Sequence, residues 1–187
     1  QNGRRQLSEV WCIVERKNGK TRLAAAIAEY CTCLNGEYGS RVYCAAPKLE
    51  QAALCYDAYF QMIDKDPELR KMAKRRRSDI YIASTNSSAK PLAFSAKKSD
   101  GLNVSLCVAD EVASWPGEQG LKLYEAIKSS FGARLQPILL SISTAGYINE
   151  GIYDELMRRC TRVLLGESPE KRLAPFLYTI DDIRKWD

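Results

Sequence analysis

Histidine is absent from all 187 residues. Its absence excludes imidazole acid–base chemistry and a Ser/His triad within these residues, and leaves a zinc site few ligands to draw on. Long apolar runs are missing too. The longest are of the size of residues 23–28, far below the roughly 20 residues of a membrane-spanning helix. No basic-then-apolar leader opens the chain, so neither a secretory signal nor a membrane partner is expected. Internal repeats and Gly/Ser-rich linkers are also lacking. With 11 Gly and 7 Pro against 45% hydrophobic and 27% charged residues, the composition excludes collagen, a low-complexity chain and a disordered acidic tail. Residues 1–187 read as one globular domain.

The seven cysteines form no paired metal-ligand pattern. Cys12, Cys44 and Cys107 sit inside apolar runs, where a thiol behaves as a small buried hydrophobe, which points to a reducing, cytosolic setting. The formal net charge is +5, and the six basic residues Arg70, Lys71, Lys74, Arg75, Arg76 and Arg77 supply more than all of it. Such a local patch suits a polyanion, and equally a solvated helix end.

Short apolar runs alternate with helical spacing, the pattern of an α/β fold built on a mainly parallel sheet. Strands are expected at 9–14, 41–46, 80–83, 91–95, 104–109, 137–142 and 174–180. Helices are expected at 20–33, from Leu49 onward, from Asp66-Pro67 into the basic run, at 121–131 before a Gly132 cap, and at 150–165 before Gly166. Residues 85–90 read as a polar turn.

Three strand ends carry chemistry. The first strand runs into Arg16-Lys17-Asn18-Gly19-Lys20-Thr21 and then a helix, matching the second half of a P-loop although Val14 stands at the usual first glycine. There, backbone N–H groups and a helix N-terminus face phosphates, Lys20 neutralises the β/γ oxygens, and Thr21 Oγ ligates Mg²⁺. The strand through Val108-Ala109 ends in Asp110-Glu111, where parallel sheets bind ligands. Asp110 is the candidate Mg²⁺ carboxylate, and Glu111 the base that orients and deprotonates water attacking the γ-phosphate of ATP. Ser143-Thr144-Ala145-Gly146 closes a third apolar strand and is placed to sense the γ-phosphate or its water.

These residues resemble the ATPase domain of the large terminase subunit of tailed bacteriophages. The likeness rests on residues 14–21, Ala45-Ala46-Pro47 with Gln51-Ala52, Asp100-Gly101-Leu102, Asp110-Glu111, the Ser-Thr-Ala-Gly run, and residues 175–178 with Asp181 and Asp182. It implies a P-loop NTPase of the RecA-like (ASCE) type, a three-layer sandwich, working as a genome-packaging motor. Arg16 is then the Walker A arginine sensing the γ-phosphate, and Ser143 and Thr144 couple hydrolysis to movement of double-stranded DNA. A neighbour in a ring of copies supplies a basic residue. Where related motors carry an arginine, this chain offers Lys97 and Lys98, which lack the planar guanidinium fork.

The resemblance further implies a portal and a small terminase subunit as partners, and the cytoplasm of an infected bacterial host. The family's nuclease domain and its adenine-binding segment are not expected within these residues, and the isolated domain is expected to be mainly monomeric. Two other readings stay open from the residues alone. One is a helicase-like ATPase acting on nucleic acid; the other is a nucleic-acid-binding module with a degenerate, non-hydrolysing P-loop.

Overall fold

The computed structural model describes residues 5–93, 101–146 and 151–178. Strands β1 (Glu9–Ile13), β2 (Arg41–Ala46), β3 (Ala73–Arg75), β4 (Ile80–Ile82), β5 (Ser87–Ala93), β6 (Leu106–Asp110), β7 (Ile138–Ser143) and β8 (Leu173–Leu177) form one sheet in the order β3-β4-β5-β2-β6-β7-β1-β8. From β5 to β8 every pairing is parallel; β3 and β4 join antiparallel at one edge.

Alternation along the central strands builds two cores, because successive side chains point to opposite faces. Leu106 and Val108 of β6 enter one, with Ala24, Ala25 and Ala28 of α1 (Lys20–Glu29) and Cys55, Tyr59 and Ile63 of α2 (Leu49–Lys65). Cys107 and Ala109 enter the other, with Leu123 and Ile127 of α4 (Gly117–Ser129) and Ile152, Leu156 and Cys160 of α5 (Ile152–Leu164). Strands buried on both faces read as continuous apolar runs, which is why they were legible. The result is helix, sheet, helix in three layers. All seven cysteines are free thiols, and no helix among the described residues is long and apolar enough to cross a membrane.

Several expected boundaries move. The first helix continues beyond Glu29, but as a wider π turn over Tyr30–Leu34. Asp66 does cap α3 (Pro67–Met72), accepting from the N–H groups of Glu68 at 2.8 Å and Leu69 at 3.1 Å, yet the helix stops at Met72. Lys74 and Arg75, expected to end that helix, instead form β3 against β4. The segment read as a turn at 85–90 is mostly strand, since Ser87 and Ser88 pair with Ile82 and Tyr81. Pro91 fits within β5 because β4 reaches only as far as Ala89, so its missing N–H faces an unpaired edge. Helix α4 begins at Gly117 and ends in a 3₁₀ turn over Ser130–Ala133, which absorbs Gly132.

At the N-terminal ends of the strands a buried polar cluster fastens α4, α5 and the segment before β8 to β1. Glu9 is 2% exposed and accepts from Lys128 Nζ at 2.6 Å, Arg159 at 3.1 and 3.2 Å, and the Tyr124 hydroxyl. Arg159 also bonds Glu170 at 2.6 Å. Burial pushes the Glu9 carboxyl up, but the hydrogen bonds from Arg159, Lys128 and Tyr124 outweigh it and leave it below the ordinary glutamate range.

Candidate functional site

The three chemistry-bearing strand ends meet at one edge of the sheet. β7 lies between β1 and β6 and runs parallel to both, so Val14, Asp110 and Ser143 emerge side by side. Ser143 touches both neighbours. Its carbonyl accepts from Val14 N–H at 3.1 Å, and its Oγ accepts from Ala113 N–H at 3.0 Å. Val14 thus prolongs the β1–β7 ladder, a place where glycine has no conformational advantage.

Between Val14 and α1 the chain makes an exposed turn. Gly19 sits at φ 76° with open space around the position of a Cβ, so its backbone angle and not crowding calls for glycine. Lys17 shares the left-handed region at φ 66°. Asn18 Nδ2 donates to the carbonyls of Glu15 and Arg16, each at 3.3 Å. No side chain caps the N-terminus of α1, so its first N–H groups and the helix dipole face outward there. Lys20 Nζ donates to the carbonyls of Val14 at 2.6 Å and Glu15 at 2.9 Å, which draws the ammonium back over the turn.

A cavity of about 190 Å³ opens beside this turn. Arg16, Lys17, Gly19, Lys20, Thr21 and Glu111 line it together; Arg22, not singled out from the sequence, joins them. Four cations and one carboxylate around one small space favour a polyanion. Arg22 follows Thr21 on the first helical turn, and that adjacency was the signal available for it.

Asp110 is 7% exposed at the end of β6. Burial raises its pKa to about 6, the neighbouring Glu111 charge adds to the rise, and the Glu111 N–H at 2.9 Å and the Lys20 charge oppose it. Lys20 is therefore within electrostatic reach of Asp110. Glu111 turns left-handed at φ 50° and ψ 47°, a conformation that costs a non-glycine residue on the order of 1–3 kcal/mol. The Trp115 indole N–H reaches back to the Asp110 carbonyl at 2.9 Å. Among the described residues no group of three or more His, Cys, Asp or Glu side chains can hold a metal. The single buried carboxylate of Asp110 suits Mg²⁺ better, since that ion needs only one or two carboxylates and completes its shell with phosphates and waters.

Ser143 is fully buried and Thr144 is buried at the end of β7. A Cβ on Gly146 would lie 2.6 Å from the Ala113 Cβ, so the last glycine of the Ser-Thr-Ala-Gly run is required by contact with the turn after Glu111. That contact was invisible in the sequence. Lys97, Lys98, Asp100, Asp181 and Asp182 lie outside the described residues.

The basic run is largely neutralised. Arg75 pairs with Asp57 at 3.0 Å and lies 4.5 Å from the Phe60 ring centre; Arg76 pairs with Asp79 and lies 4.1 Å from that of Tyr81. Lys71 pairs with Glu68 at 2.7 Å and Arg70 approaches Asp64 at 3.8 Å. Lys74 and Arg77 are left without partners among the described residues.

The model of the family described as "Terminase large subunit, ATPase domain" matches residues 1–162. Among curated proteins, Protein YmfN of Escherichia coli (strain K12) is 31% identical over 90 residues, 48% of this chain and 19% of that protein. Among solved structures, the HK97 bacteriophage large terminase aligns with a TM-score of 0.77 at 21% identity, over 92% of this chain and 35% of the other. The Thermus phage P74-26 large terminase ATPase domain aligns at 0.59 and 20% identity, over 78% and 63%. This chain thus spans about a fifth of the curated relative and about a third of the HK97 protein. At these identities the structural likeness establishes the fold, a RecA-like P-loop sandwich.

Proposed function

Since the chain belongs to the family of terminase large-subunit ATPase domains, we propose that it hydrolyses ATP with Mg²⁺ to drive double-stranded viral DNA into a procapsid. The observation that carries this reading is a cavity lined by the basic turn together with Glu111, the residue that follows the buried Asp110.

Each residue has a stated task. The α1 N-terminus and the turn's N–H groups hold the phosphates, and Lys20 leaves the Val14 and Glu15 carbonyls to meet the β/γ oxygens. Thr21 Oγ and Asp110 would hold the metal, which would supply charge neutralisation for the phosphates. Ionised Asp110 gains most from that cation, because burial disfavours its charge. Glu111 orients the attacking water and accepts its proton, and Arg16 senses the γ-phosphate. Ser143 and Thr144 pass the event into the fold, since Ser143 bonds both the β1 end and the turn after Glu111.

A ring of copies would complete the site with a basic residue, for which Lys97 and Lys98 are the candidates, and the isolated domain is accordingly a slow, mainly monomeric ATPase. Double-stranded DNA, a portal and a small subunit are its partners, in the cytoplasm of an infected bacterium. Nuclease activity is not assigned to these residues.

Lys20→Ala and Glu111→Gln separate binding from chemistry. Lys20→Ala is expected to weaken ATP binding about 10- to 100-fold, the value of one charge-assisted contact. Glu111→Gln keeps ATP and loses about 100-fold or more of its turnover. Hydrolysis by Glu111→Gln at the wild-type rate removes the assigned base.

A further inference from the structure

We infer that Trp115 is a positioning residue for Asp110 and Glu111: its indole N–H closes the 110–115 segment on itself and thereby holds the carboxylate pair at the nucleotide cavity. This rests on the site reading given above and adds a residue to it that touches neither nucleotide nor metal.

Backbone pairing ends where the site begins. On the β2 side the β6 ladder stops at Ala109, and Asp110 is registered only against Ile142 of β7. The Asp110 carbonyl takes its hydrogen bond from the Trp115 side chain at 2.9 Å. Immediately after it the chain enters the left-handed conformation at Glu111, then a single 3₁₀ turn over Val112–Ser114. Trp115 N–H closes that turn on the Val112 carbonyl at 3.0 Å. A left-handed glutamate persists only where its surroundings over-determine it.

Trp115 is itself fixed. It is 5% exposed within the core cluster of α4 and α5, and a Cβ on Gly120 would lie 3.0 Å from the Trp115 Cβ and 3.5 Å from its backbone carbon, so Gly120 lets α4 pack closely against the base of that side chain. Burial does not by itself give an indole a partner in this chain: Trp11 is fully buried and its Nε1 has none among the described residues. The Trp115 bond therefore reflects aim, and its target is the backbone of the one buried carboxylate at the nucleotide edge.

The P-loop lies on a different strand, so losing this bond should disturb turnover and the metal-assisted part of binding, both of which use Asp110, and leave nucleotide capture without Mg²⁺ intact. The test measures kcat and KM for Mg²⁺-dependent ATP hydrolysis by the whole chain, with binding of a fluorescent ATP analogue and thermal melting alongside. Trp115 is replaced by Phe and by 3-benzothienylalanine, an isostere that keeps the bicyclic shape without the N–H. Both should lower kcat about tenfold, with analogue affinity measured without Mg²⁺ within twofold; should the Phe variant fail to fold, the isostere decides alone. Gly120→Ala, which pushes on Trp115 without altering it, should lower kcat in the same direction.

Wild-type kcat in the isostere overturns the positioning role. So does a fall in kcat that comes with an equal loss of analogue binding in the absence of Mg²⁺, the signature of general unfolding. Glu111→Gln serves as the control: if it too turns over normally, the site reading fails and the positioning role with it, whereas an inactive Glu111→Gln beside a fully active isostere sinks the positioning role alone.

Discussion

Replacing Glu9 by glutamine tests whether the charge buried at the far edge of the sheet serves stability alone. The carboxylate is 2% exposed and receives hydrogen bonds from Lys128, Arg159 and Tyr124. Removing one partner of a buried ion pair costs about 3–5 kcal/mol. Two features reduce that here: Arg159 keeps Glu170 at 2.6 Å, and the Lys128 side chain, at 34% exposure, can turn to water. A loss of about 2–3 kcal/mol is expected, which shifts a urea midpoint by about 1 M at the slopes usual for small proteins.

The pH dependence has a definite sign. Because the folded carboxyl lies below its ordinary value, its contribution is complete above that value and disappears as pH falls through the lower folded one. The wild type should therefore exceed Glu9→Gln by the full amount at pH 7, and the gap should narrow below about pH 4.5. Urea titrations of both proteins at pH 7 and pH 4, followed by circular dichroism, measure it. Equal midpoints at pH 7, or a gap that widens in acid, refute the reasoning. ATP affinity should be the same in both, since Glu9 and the P-loop lie at opposite ends of β1.

Two further outcomes are expected. Gly146→Ala places a methyl about 2.6 Å from the Ala113 Cβ and should slow turnover several-fold, and adding Ala113→Gly should restore most of the rate; a double variant no better than the single one removes the contact as the cause. Should the basic segment meet DNA, Lys74→Ala and Arg77→Ala should each lower the log–log salt slope of binding by about 0.9, as one lost phosphate contact does, while Arg75→Ala should chiefly lower the melting temperature because it loses both Asp57 and the Phe60 ring. A slope unchanged in both Lys74→Ala and Arg77→Ala places DNA elsewhere.

The elements legible in the sequence are those whose cause is local. Buried parallel strands announce themselves as apolar runs, and Gly19-Lys20-Thr21 or Asp66-Pro67 dictate backbone geometry within a few residues. What escaped depends on partners distant in sequence. Lys74 and Arg75 look like the end of a helix until Tyr81 and Ile80 pair with them, and Arg75 reaches back to Asp57 and Phe60 on α2. Ser87 and Ser88 look like a turn, but Ser87 Oγ accepts from the buried Ser40 N–H at 3.1 Å, which lets a polar residue sit in a buried strand. In the candidate site the strand ends were readable, whereas the aim of Trp115 and the contact between Gly146 and Ala113 were not, because composition carries no direction.

The two sheet edges divide the labour of the charged residues. At the N-terminal edge Glu9 has its hydrogen bonds supplied by the protein, and its carboxyl lies below the ordinary range. At the C-terminal edge Asp110, also buried, has the charge of Glu111 beside it and receives only one backbone N–H and the influence of Lys20 in return, and its carboxyl rises to about 6. Opposite shifts in two buried carboxylates mean that the difference lies in the neighbours provided. A carboxylate fully paired by the fold has little left to gain from an ion, whereas one left short does. The strain at Glu111, the short ladder at Asp110 and the open cations around the cavity all lie on that second edge, the one the proposed site occupies.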